Sequence, residues 1–187
     1  MCLVAAGATP PAFPHYMQCD SRWGGDQMGV DGPGERDTVC HQGCAMSCVA
    51  MALAGYNLTL PGQQSPPTPG SLNKWLTQNH GYHCDGGNCN NLVLDAPDLI
   101  TAGMMRVVGE WGGRCCGGDA AKPPLETIKS GLATASDRHL VFIAHVHNNH
   151  HFVLLTGWDD DQSMFTALDP NYPPLGPRVP LSVELNW

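Results

Sequence analysis

Between Cys44 and Gly55 the chain reads CAMSCVAMALAG, an almost unbroken apolar segment rich in Ala and Met, both good helix formers. A helix that is apolar all the way round has no face for water, so it has to lie inside the protein with the rest of the chain wrapped about it. The apolar run begins near Cys44, and Gly55 stands where a C-terminal stop belongs. The segment therefore predicts a buried helix over about residues 45–54, beginning near Cys44.

What wraps this helix is legible in outline. HLVFIAHV, HHFVLLTGWDD and SMFTALDP in the C-terminal third are apolar, β-prone and separated by polar turns, as expected of successive antiparallel strands. SLNKWLTQNHGY predicts a second helix, capped by Ser71 or Thr68, closed near Gly81 and turning Leu72, Trp75 and Leu76 inward. PLETIKSGLATA predicts a third. Helices first and a meander of strands afterwards argue for an α+β fold with the strands packed on the buried helix. The remaining stretches read as a short extended piece around Tyr16 to Gln18, a Gly-rich loop to about Asp37, and a PGQQSPPTPG linker. With 187 residues, one domain over 1–187 is expected, with residues 1–13 as an extended N-terminal lead.

A formal charge of −8 without any run of Lys or Arg argues against a phosphate-binding surface, so nucleic acid is not an expected partner. No apolar run approaches the roughly 18 residues needed to span a bilayer. Nine cysteines at dispersed positions predict a disulfide framework and an oxidising, extracellular location, and the odd count leaves at least one thiol over. CDGGNC is a loop that Cys84 and Cys89 could staple, whereas Cys115 and Cys116 in WGGRCCGGD lie in an irregular exposed loop. Asn57-Leu58-Thr59 is an N-glycosylation sequon, in keeping with a secreted glycoprotein.

Cys40, Cys44 and Cys48 are spaced by four. Zinc prefers ligands two to four residues apart in two knuckles, and no clear second pair accompanies these three. His145, His147, His150 and His151 lie close together, but His145 and His147 alternate along a strand toward one face, which packing explains as well. No metal or other cofactor is expected. Disulfides account for most of the cysteines, and a disulfide partner remains the plain reading of each.

Gly43-Cys44 carries a chemical reading as well. A thiol at the start of a helix faces the positive end of the dipole and unpaired N–H groups, which favour the reactive thiolate. The Cys44 amide could also donate to the oxyanion of a tetrahedral intermediate, a contribution worth about 3 kcal/mol. A base is offered by His151, which enters an apolar strand, with His150 its main competitor. Asp169 follows the next strand, where hairpin pairing could bring it beside His151; read plainly, Asp169-Pro170 is a turn. Trp23 and Trp158 could floor a cleft, although indole rings more often belong to the core.

GCAMSCVAMALAGYN, TPGSLNKWL with its GY, HHFVLLTGWDDD and ALDPNY together resemble the papain-like cysteine peptidases of the bacteriocin-processing type, which act on double-glycine leaders, and their broader relatives. YMQCDSRWGGDQMG resembles the Gln-x-x-x-x-x-Trp lead of that family, and the likeness spans about residues 14–172. It differs where Ala45-Met46-Ser47 follow the cysteine in place of Gly-Pro-Thr or Gly-Pro-Ser, and in its wealth of cysteine. The resemblance implies a papain-like fold with Cys44 as nucleophile, His151 as general base, Asp169 as its orienting partner and Gln18 as side-chain oxyanion donor; read plainly, Gln18 is a polar loop residue bonded to backbone. It implies a hydrolase acting on a peptide or other amide; the protein is expected to be a monomer. Two other readings keep the same scaffold: a catalytically silent, disulfide-stabilised binding module, and a phytochelatin-synthase-like transpeptidase.

Overall fold

A computed structural model describes residues 2–6, 12–30, 34, 36–85, 87–109, 125–133, 138–146, 150–161 and 163–171. It is an α+β structure. In chain order the elements are β1 (Cys2–Ala6), α1 (Val39–Gln42), α2 (Cys44–Gly55), α3 (Pro69–Gln78), β2 (Tyr82–Asp85), β3 (Asn88–Leu92), α4 (Ala96–Thr101), β4 (Met105–Gly109), α5 (Leu125–Ala133), β5 (Arg138–Val146), β6 (His151–Asp159) and β7 (Met164–Leu168). Among the described residues no helix is long and apolar enough to cross a membrane.

The apolar run of α2 is buried as its composition demands: Met46 through Leu53 are each at most 1% exposed. Helix α3 starts at Thr68, whose side chain accepts from the Ser71 N–H while Ser71 Oγ accepts from the Thr68 N–H, a reciprocal capping box. Leu72 and Leu76 are buried beneath it and Trp75 packs at the core's edge.

The main sheet has the order β4-β1-β5-β6-β7, with every pairing antiparallel. Here the structure corrects the expectation of a sheet made only from the C-terminal third. CLVAA, at the start of the supposed lead, enters between β4 and β5 and pairs with both. Without it, the far side of β5 would carry the unpaired N–H and C=O groups of an edge strand.

The near-continuous apolar character of β5 and β6 comes from burial on both faces. Val141, Ile143 and Leu154 belong to the core around α2, whereas Phe142, Ala144, Val146, Val153 and Leu155 pack with Ile128 of α5 on the opposite face. Alternation along a strand sends successive side chains to opposite layers, and here both layers are covered. Trp158 lies on the α5 side, edge to face with Phe165 and beneath the Lys129 ammonium.

A separate hairpin, β2 with β3, carries Cys84 and Cys89 at disulfide distance. Cys19 and Cys40 form the second such pair. The side chain of Cys2, together with Cys115, Cys116 and His147, lies outside the described residues.

Candidate active site

Short helix α1 stops at Gly43, whose N–H bonds the Val39 carbonyl, and α2 starts afresh at Cys44. The break depends on glycine for a packing reason. A Cβ at Gly43 would run into the Val39 carbonyl oxygen and lie 2.9 Å from Val39 Cγ1, so the need for a small residue arises inside the protein. Gly43→Ala is expected to cost about 1–3 kcal/mol in thermal unfolding, because backbone has to move to admit the methyl. An unchanged Tm would show that the turn has room to spare.

Cys44 is a free thiol, half-buried at the N-terminus of α2. Across from it, β6 begins with His151, 9% exposed, and β7 runs out into Asp169, 5% exposed. His151 Nε2 donates to Asp169 Oδ1 at 2.7 Å. With Nε2 so engaged, Nδ1 is the ring nitrogen left for the Cys44 sulfur, which is a hydrogen-bond and charge partner of the imidazole. Burial pulls the His151 pKa down, but the hydrogen bonds to Asp169 and Cys44 and their negative charges outweigh it, and the pKa is pushed up to about 9.

The same Asp169 Oδ1 accepts the Asn171 N–H at 2.8 Å. The plain turn and the histidine partner are thus one arrangement, since an aspartate that closes a turn through its carboxylate holds that carboxylate still for the imidazole. His150 is exposed in the turn ahead of β6, its N–H bonded to the Val146 carbonyl.

Gln18 is 5% exposed and donates from Nε2 to the Cys40 carbonyl at 2.5 Å, four residues before Cys44. One N–H of its amide is committed there, which agrees with the plain reading of a polar residue bonded to backbone and leaves the second N–H to donate elsewhere. Cys19, its neighbour, bonds to Cys40, so the Gln18 arm and the loop leading to Cys44 are covalently joined. Trp23 is 3% exposed and donates from Nε1 to the Met17 carbonyl at 2.8 Å; it is core and braces the arm from behind.

Cys48 lies one turn below Cys44, fully buried, with Sγ donating to the Phe152 carbonyl at 3.5 Å. Burial, then the negative charges of Cys44 and Asp169, push its thiol well above the ordinary range, so it stays protonated and unreactive. Among the described residues no group of three or more His, Cys, Asp or Glu could hold a metal ion. The sequence reading missed His15, whose Nε2 donates to the Asp169 carbonyl at 2.6 Å; a lone histidine in a Pro-rich lead carries no local signal of such a role.

No protein-family model, curated protein or solved structure matches the chain.

Proposed function

We propose that this protein is a secreted thiol hydrolase of papain-like type that cleaves or transfers an amide acyl group. The observation that carries the proposal is the free Cys44 at a helix N-terminus, partnered by His151, which is in turn bound to buried Asp169. A thiol with a base and a third group orienting that base is the constellation of nucleophilic acyl transfer, whatever the fold that presents it.

In the proposed cycle the Cys44 proton passes to His151, and the thiolate attacks the amide carbon. The carbon–oxygen π pair moves onto oxygen, where the free N–H of Gln18 and the Cys44 main-chain amide stabilise it. The carbon–nitrogen bond breaks as the imidazolium delivers its proton to the departing amine, leaving a thioester. Water, deprotonated by His151, or an acceptor amine then releases the acyl group and restores the thiol. Asp169 keeps Nε2–H occupied throughout, so that Nδ1 remains aimed at sulfur. The two disulfide pairs among the described residues support an extracellular setting.

Iodoacetamide applied to the unreduced, folded protein, with the adduct mapped by mass spectrometry, tests the reading. Cys44 should be carboxamidomethylated near neutral pH, while Cys48 reacts only after unfolding. Recovery of Cys44 in a disulfide, or a native protein inert at Cys44, removes the nucleophile and with it the proposal. A peptide-library cleavage profile would then identify the amide it prefers.

A further inference from the structure

The pairing of β7 with β6 ends at Leu168 opposite Leu154, so the sheet's hydrogen bonds stop one residue short of Asp169. The turn that carries this carboxylate has to be oriented by something else. Two bonds from residues 15–18 do so: His15 Nε2 to the Asp169 carbonyl at 2.6 Å, and the Gln18 N–H to the Pro170 carbonyl at 2.7 Å. A carbonyl can only accept, so His15 carries its proton on Nε2.

We propose that His15 is a positioning residue for Asp169, and that residues 13–18 form a strap setting the orienting carboxylate and the oxyanion donor together. The proposal rests on the reading of Cys44, His151 and Asp169 as a catalytic triad.

The strap is anchored at both ends, which lets it transmit position. At one end the Phe13 ring lies over Gly55, where any Cβ would collide with it, and meets Tyr56 edge-on at 5.9 Å. At the other, Tyr16 packs edge-on against Trp23, Trp23 holds the Met17 carbonyl, and Gln18 grips the Cys40 carbonyl. Gly55 closes α2 and Cys40 precedes it, so the strap runs antiparallel beside the helix. One segment therefore ties the Gly55 end of α2 and the Cys40 loop to the Asp169 turn.

If the strap works this way, losing the His15 donor lets the Asp169 turn drift, and His151 loses part of the partner that holds its proton. Among the described residues, the titratable groups recorded against the His151–Asp169 pair include Cys44 and Cys48 from α2 and His15 from the strap. Only the His15 contact is altered by the substitutions that follow.

The test uses the full chain, with NMR titration of His151 and the rate of Cys44 alkylation by iodoacetamide. In His15→Leu the His151 pKa should fall by about one unit and alkylation at pH 7 should slow about fivefold. In His15→Gln, whose amide N–H can replace Nε2–H, the His151 pKa should stay within about 0.3 unit and the alkylation rate within about twofold of wild type. A purely structural role would lower Tm without moving the His151 titration.

A wild-type titration in His15→Leu, or a His15→Gln variant that behaves like His15→Leu, overturns the proposal. Should His15→Leu fail to fold, His15→Ala is read in its place by the same two measures: a lowered His151 titration supports the strap and an unshifted one refutes it. A wild-type Cys44 inert to iodoacetamide would sink the hydrolase reading, while the His151 titration would still judge the strap.

Discussion

Cys44→Ala is expected to abolish turnover of any amide the wild type cleaves, by roughly 10⁴-fold or more, while leaving the fold in place. The two halves of this expectation have separate causes. Without sulfur there is no atom to form the thioester, and the oxyanion donors that remain can speed direct attack by water only slightly. Stability changes little because Cys44 is half-buried at a helix end and its removal leaves no enclosed void; about 1 kcal/mol or less is expected. Residual cleavage and thermal unfolding on the same preparation provide the check. Full activity in the variant would make Cys44 a bystander, and a collapse of Tm alongside activity would mark it as structural.

Asp169→Asn should change how stability depends on pH, and by more than a surface charge would. In the folded protein His151 is raised from an ordinary 6.5 to about 9, so its proton is held more tightly in the native state than in the unfolded chain. A group of that kind contributes stability fully present below pH 6.5 and lost as pH rises through about 9. Asn at 169 cannot supply the negative charge, so the variant should be less stable than wild type at pH 6, by about 1–3 kcal/mol, and the two curves should converge near pH 9.5.

Other raised groups act later. Cys48 starts from 9.0 and Tyr56 from 10.0, and burial leads in raising both, so their losses begin above this window. Melting curves between pH 5 and 10 settle the point: a flat wild-type profile from 6.5 to 9, or a variant falling in parallel with it, would refute the pairing as the source of the shift. Turnover should drop by roughly a hundredfold or more in the same variant, because Asn leaves the imidazole free to choose the wrong tautomer.

Much of this site could be located before any fold was known. The buried helix declared itself through an apolar run with a glycine stop, and it did begin at Cys44. Strands β5, β6 and β7 lie where β-prone runs alternate with turns, because period and composition are local properties that a chain displays residue by residue. Cys84 and Cys89, five residues apart, were foreseeable as a pair because a short Gly-rich loop brings its own ends together.

Other decisions belonged to the tertiary structure. Whether His150 or His151 faces Cys44 turns on where the β5–β6 ladder begins, and a slip of one residue would exchange them. That Cys40 finds Cys19, that CLVAA enters the sheet between β4 and β5, and that His15 reaches Asp169, 154 residues away, depend on packing between distant segments. Gly43 shows the division within one residue. Its place before Cys44 was plain from the sequence, but the reason only glycine fits there is the Val39 carbonyl folded back beneath it. Local pattern determined which segments become helix and strand and which thiol heads the buried helix; contacts between segments far apart in the chain decided which histidine, carboxylate and N-terminal segment meet that thiol, because such contacts leave no periodic trace in the sequence.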